Sequence, residues 1–277
     1  MFALKLSLVA ATIWLATLVT RRLGHALGGA LSGMPMILAP ILGVLLIDLP
    51  ATQVQAIALA TLACVPATVL FIVVYGRACT RWPWPVCLLM ATAVFLLAAS
   101  ALTQVVRSAG WVIAMAAVAP GLGLWALARP EHVGGAVPIP RSELAWRLGA
   151  AIAMAGAVML SADALPARVS GLLLAAPIAG SILPSFTLPR HGGPATVALL
   201  RGFAMGLHGF IAFLIVLYAA LGILPAAWAF ALALVGASAT GWVAYRLRQR
   251  GQARREETDR SDSPTAATHP RRGLPKP

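Results

Sequence analysis

The sequence predicts an all-α polytopic membrane protein with about nine transmembrane helices, arranged as two four-helix halves in an inverted repeat. Three observations predict it. Of the 277 residues, 60% are hydrophobic and only 10% are charged, against roughly 45–50% and about 25% in a soluble domain. Apolar runs of 18 or more residues recur along most of the chain, and a run that long matches the hydrocarbon thickness of a bilayer. A G-x5-P element occurs twice, ending at Pro35 and at Pro177. Only helices or closed barrels satisfy the backbone in lipid. The runs are continuous and rich in Leu, Ala, Val and Gly, not alternating, so helices are expected.

The spans are placed near residues 3–20, 26–47, 51–75, 83–102, 109–128, 145–162, 167–187, 194–221 and 223–245. The first has Lys5 near its start and Arg21-Arg22 after it. A signal peptide has its charge before the apolar stretch and a small-residue cleavage site behind it, so a retained helix with its N-terminus outside is expected. The second span contains Pro35 and Pro40, and the seventh Pro177 and Pro184. The fifth is interrupted by Pro120, Gly121 and Gly123. Residues 1–103 form the first four-helix repeat, 104–144 a linking helix and cytoplasmic loop, and 145–245 the second repeat. Residues 246–277 are polar and mixed in charge, too poor in apolar side chains to offset ordering entropy, so a disordered basic tail is expected there.

The net charge of +13 does not imply a nucleic-acid partner, because the basic residues follow topology. With nine spans and the N-terminus outside, Arg21, Arg22, Arg77, Arg81, Arg129, Arg141, Arg147 and Arg190 fall inside, and only Lys5, Arg107 and Arg168 fall outside. That is the positive-inside pattern of a bacterial inner membrane. Trp82, Trp84, Trp125, Trp146 and Trp242 lie near inner boundaries, and Trp111 and Trp228 near outer ones, as interfacial indoles do. The spacing of Cys64, Cys79 and Cys87 matches no zinc site and no CxxC pair. No cofactor or metal is expected.

The two G-x5-P elements are Gly29-Ala30-Leu31-Ser32-Gly33-Met34-Pro35 and Gly171-Leu172-Leu173-Leu174-Ala175-Ala176-Pro177. Each has an Arg upstream, and each is followed at nearly the same offset by a related span, VPATVLFIVVY and LHGFIAFLIVLY. Spans one to four then pair with six to nine. The odd fifth span inverts the second half, as in many secondary transporters. The stretches RRLGHALGGALSGMPMILAPIL, ARVSGLLLAAPIAGSIL and ALLRGFAMGLHGFIAFLIVLY resemble a broad family of uncharacterised bacterial integral membrane proteins with a duplicated four-helix unit. More distantly, each half resembles small four-helix proteins of the GlpM type. The resemblance covers most of residues 15–245, implies a duplicated membrane fold, and transfers no functional residue.

Prolines inside spans remove backbone donors, and discontinuous helices at matching places in two halves point to a transport site. Gly29, Gly33, Pro35, Gly171 and Pro177 are therefore expected to open the helices at a substrate path; the alternative is a kink with tight glycine packing. Arg201 and His208 lie seven residues apart on about the same face of the eighth span. Arg201 would supply positive charge to a substrate, or snorkel to the inner interface about 10 Å away. His208 would add pH sensitivity or serve as a packing residue. Ala198, Gly202 and Gly206 form a small-xxx-small ridge. The eight acids all lie at span ends, in connections or in the tail. Coupling through a buried carboxylate loses support, and a small neutral molecule or an anion is favoured.

No HExxH, P-loop or GxSxG element is present, so no enzyme is expected. Ser32 or Ser170, each beside a glycine, and His208 only faintly resemble an intramembrane serine protease pair. A small-molecule permease is the leading expectation, with a non-transporting scaffold or channel-like protein as the alternative. A C-terminal alkaline phosphatase fusion is expected to be inactive and a C-terminal green fluorescent fusion bright; an active phosphatase would contradict the orientation.

Overall fold

The computed structural model describes residues 24–35, 38–105, 108–128 and 176–262, together with isolated positions at 7, 11, 14, 18, 21, 22 and 149. The expected spans at 3–20, apart from those isolated positions, and at 145–162 lie outside the described residues, as do residues 167–175 of the seventh. The described helices are α1 (His25–Gly33), α2 (Leu38–Asp48), α3 (Ala51–Ala63), α4 (Val65–Ala78), α5 (Trp84–Val105), α6 (Ala109–Ala126), α7 (Ile178–Ala220) and α8 (Ala226–Asp262). They group into two units, Met1–Gly241 and Trp242–Pro277.

Five stretches among the described residues are long and apolar enough to cross a membrane: Ala51–Ala78, Trp84–Leu102, Ala109–Ala126, Gly180–Ala220 and Ala226–Ala244. The protein is a multi-pass α-helical membrane protein. Its exposed surface fits this. Leu89, Leu97, Leu122, Ile223 and Val235 are bare apolar side chains on α5 to α8 and the turn between α7 and α8, a distribution that water would oppose and lipid does not.

The expected second span is two short helices. α1 stops at Gly33 and α2 begins at Leu38, with Met34 and Pro35 in the break. The third span is also divided: α3 gives way to α4 at Cys64, where Pro66 enters the first turn of α4 without an amide to donate. By contrast α6 runs unbroken through Pro120.

α7 is a hairpin of two arms, residues 178–191 and 193–220. Gly192 separates them at φ 76° and ψ −179°, a backbone conformation open to glycine and strained for a residue with a Cβ. Gly180 on the first arm lies against the ring of Phe203 on the second, so the arms are antiparallel. The second arm carries 28 residues, long enough at about 1.5 Å each to cross a bilayer, whereas the first arm reaches only partway.

The closest packing joins α1 to the second arm. A Cβ placed on Gly29 would fall inside the carbonyl of Leu199, and one on Gly33 inside that of Phe203. In the other direction, a Cβ on Gly202 would collide with the carbonyl of Ala26, and one on Gly206 with that of Ala30. Both helices therefore present G-x3-G to each other, and the matched order of the contacts makes them parallel. Without a hydrophobic drive between helices in lipid, such backbone approach is a main source of association.

In the second unit the helix runs on to Asp262. Residues 246–262, expected to lack order, are helical. An existing helix gains one backbone bond per added residue, and Arg, Gln, Glu and Ala are good helix formers. Arg255 and Asp259, like Glu256 and Arg260, are spaced four apart with opposite sign. Within this unit the Arg246 guanidinium stands 4.6 Å over the Trp242 ring. The tail residues 263–277 lie outside the described residues.

Gly206→Ala is expected to lower stability by about 1–3 kcal/mol through backbone overpacking. Gly121→Ala, where an added Cβ meets nothing within 4 Å, is expected to be neutral or to gain up to about 1 kcal/mol of helix propensity. Thermal unfolding in detergent compares them; equal melting temperatures would contradict the crossing.

Candidate functional site

The residues singled out in the sequence gather around the second arm of α7. Phe203 lies ten residues beyond Gly193, about 15 Å along the helix. That is near the middle of a hydrocarbon core about 30 Å thick. The end of one helix and the start of another meet there. Gly33, the last residue of α1 before Met34 and Pro35, lies against the Phe203 carbonyl; Gly180, one turn beyond Pro177, lies against both the Phe203 ring and the Pro177 side chain. Pro35 and Pro177 are both buried.

Each break is quiet in hydrogen-bonding terms. The Met34 amide donates to the Leu31 carbonyl at 3.2 Å, and the Pro35 carbonyl accepts from the Ala39 amide at 2.7 Å. The Pro177 carbonyl accepts from the Ser181 amide at 2.7 Å and from the Ser181 hydroxyl at 2.9 Å. Met34 extends across the bundle, its methyl group facing Gly209 of α7 and Gly241 of α8. Gly29 and Gly33 are in backbone contact with α7, the tight-packing alternative of the two expected. Gly171 lies outside the described residues.

Arg201 does not point to the breaks. Its Nη1 donates to the carbonyls of Leu124 and Leu127, each at 2.8 Å, and lies 3.4 Å from that of Ala128. Arg77, on α4, reaches the Ala126 carbonyl with Nε and Nη2 at 3.3 Å. The last turn of a helix leaves carbonyls without internal partners and holds the negative end of the helix dipole. Two guanidinium groups therefore cap the C-terminus of α6, and the Leu127 side chain fills the space over Gly76 between them. His208 engages its own helix, with Nδ1 3.0 Å from the Met205 carbonyl. Shared sequence spacing has not given Arg201 and His208 a shared partner.

Other polar contacts were not legible in advance. His25, 2% exposed, packs against His191 with ring centroids 5.0 Å apart. The Tyr75 hydroxyl lies 3.3 Å from Ser185 Oγ, and Ser185 donates to the Ser181 carbonyl at 2.6 Å. A polar file thus runs along the first arm from Pro177 toward Tyr75. At the other end of α7, Gln55 donates to the Tyr218 carbonyl at 2.7 Å. Cys64, Cys79 and Cys87 are free and buried; burial pushes the Cys79 thiol, just past the end of α4, up to about 11. Among the described residues no group of three His, Cys, Asp or Glu side chains could hold a metal ion.

Compared with models of known protein families, with curated proteins and with solved structures, the chain matches none.

Arg201→Ala is expected to cost about 1.5–3 kcal/mol, the range for hydrogen bonds to a charged group. Exposed Arg77→Ala should cost less. Because both serve one helix end, a double-mutant cycle in thermal unfolding should give a coupling of at least about 0.5 kcal/mol. Strict additivity would contradict the shared cap.

Proposed function

We propose that this multi-pass membrane protein is a small-molecule permease of a bacterial inner membrane, with its path beside Phe203. The observation that carries the reading is the meeting of the end of α1, before Pro35, with the start of α7, at Pro177, on one residue near mid-depth. Discontinuous helices at the bilayer midplane are where secondary transporters bind substrate. The polar file of Ser181, Ser185 and Tyr75 leads away from the Pro177 break and supplies hydroxyl groups suited to a small polar solute. The step from helix breaks to transport is analogy of fold.

Arg201 enters the reading differently from its sequence-based role. With Nη1 on the carbonyls of α6, it is a positioning residue, and of the two expected substrate classes the anion loses its main support. The inverted repeat and the resemblance to the duplicated membrane family remain part of the proposal, as does a cytoplasmic C-terminus. The orientation has some support from charge: Arg77, Arg81, Arg190 and Arg201 collect around the Gly192 end. A non-enzymatic role also belongs to the reading; Ser32 donates its hydroxyl to the Gly28 carbonyl at 2.8 Å, a helix-internal bond. The second reading is a non-transporting scaffold. It is favoured by the direct backbone contact of Gly29, Gly33, Gly202 and Gly206.

Proteoliposomes separate the two readings. Stopped-flow shrinkage with glycerol, urea, acetate and phosphate as test solutes should show at least one crossing faster than in protein-free vesicles. Phe203→Trp should slow that solute. Arg201→Gln should leave flux per folded molecule within about twofold if the arginine only positions α6. Protein-free rates for the whole panel would leave the scaffold reading.

A further inference from the structure

The arginines of the first unit differ in what they do. Arg77 and Arg201 are committed to the carbonyls at the end of α6. Arg21, Arg22 and Arg81 are exposed, and no side-chain hydrogen bond or ion pair engages them among the described residues. They stand at one end of the unit. Arg81 lies in the turn between α4 and α5, two residues past Cys79, whose carbonyl faces Gly193 beside the Gly192 turn. Arg21 and Arg22 precede His25 by four and three residues, ahead of the non-helical Gly24 (φ 89°), and His25 packs on His191 next to the Gly192 turn. Among the described residues of this unit the one carboxylate is Asp48, at the C-terminus of α2. It follows the Met34 break, beyond mid-depth, and so lies toward the opposite end.

Indoles mark the same level. Trp82 is 55% exposed and Trp84 41%, and they flank Pro83 in the turn that carries Arg81. Trp125 is exposed at the C-terminus of α6, and Trp111 at its N-terminus. These last two are fourteen residues apart, about 21 Å of helix, and mark opposite ends of α6. The turn carrying Arg81 therefore lies at headgroup depth, where the nearest abundant anion is a lipid phosphate.

We propose that this end of the protein binds the phosphate of anionic phospholipids, with Arg21, Arg22 and Arg81 as the ligating side chains. Trp82 and Trp84 hold the turn in the interfacial layer. Arg81 then pairs with a phosphate without leaving its turn, since its backbone is already fixed by the Arg81 and Trp82 amides, both bonded to the Ala78 carbonyl at 2.9 Å. A charge near an anionic surface contributes roughly fivefold to association per arginine, and salt screens it. The inference is independent of whether the protein transports a solute.

The test uses the full chain in phosphatidylcholine bilayers containing a trace of spin-labelled phosphatidylglycerol or spin-labelled phosphatidylcholine. The motionally restricted fraction of each label gives the protein's lipid preference. The native chain should favour phosphatidylglycerol at low salt. Arg81→Gln should reduce that preference by about fivefold, and the triple variant R21Q/R22Q/R81Q by more, with helix content and elution volume unchanged. The tail arginines are present in all three proteins and contribute equally. No preference in the native chain, or the same preference in the triple variant, would overturn the proposal. Millimolar inorganic phosphate, added at constant ionic strength, should leave the labelled lipid in place. Its displacement would identify a free-phosphate site and overturn the lipid assignment.

Discussion

Contact between two backbones organises the first unit. α1 and the second arm of α7 can approach only because Gly29 and Gly33 face Gly202 and Gly206, and at each of these positions a methyl group would overlap a carbonyl of the partner. Apolar side chains gain little from leaving lipid for protein, so packing and polar contacts must hold the helices together. The crossing also sets the depth of everything near it. It carries the end of α1 to Phe203 and so fixes the Met34 break at mid-depth. It also brings His25 to His191 at the end of the first arm.

Helix ends receive the same care as helix faces. α6 enters with Ser108, whose side chain accepts from the Trp111 amide, and leaves under Arg77 and Arg201. α7 is closed at its far end by the Gln55 amide on the Tyr218 carbonyl. Cross-helix caps of this kind tie elements that are distant in sequence. They also resolve the position of Arg201 on its helix. A guanidinium near mid-membrane costs about 2.5–3.5 kcal/mol on insertion scales, but an extended arginine that reaches the end of α6 finds carbonyl partners and the negative pole of a dipole.

Much of the fold was legible because lipid writes it into composition. The apolar runs foretold the helices now described at residues 51–78, 84–102, 109–126 and 226–244, and Pro35 foretold the interruption between α1 and α2. Gly202 and Gly206 were recognised as a packing ridge, but its partner was not named, since no pattern in one helix states which other helix it meets. Arg201 and His208 shared a face by periodicity, yet their side chains separated, because an arginine has the length to serve a distant helix end. The His25–His191 contact joins residues 166 positions apart in the chain, and neither carries a local signal of the other. The charged helix past Ala244 was missed for a different reason. Its composition looks disordered in isolation, whereas a helix already propagating out of the membrane needs no new nucleus.

The G-x5-P element acquires a physical logic from these contacts. In the first element Gly29 lets a backbone approach, and the helix ends just ahead of Pro35, about a turn and a half later. A break made by any other residue would leave an amide without its intrahelical acceptor, a large cost in lipid. Proline has no amide to strand. The carbonyls of Pro35 and Pro177 are each taken up by the residue four positions on, so a new helix starts at once. The interruption then serves to shape the chain. At Pro35 it turns Met34 across the bundle toward Gly209 and Gly241, and at Pro177 it begins the short arm whose Ser181 and Ser185 run toward Tyr75. Two helix ends, that of α1 and that at the start of α7, thereby meet at Phe203, one against its carbonyl and the other against its ring.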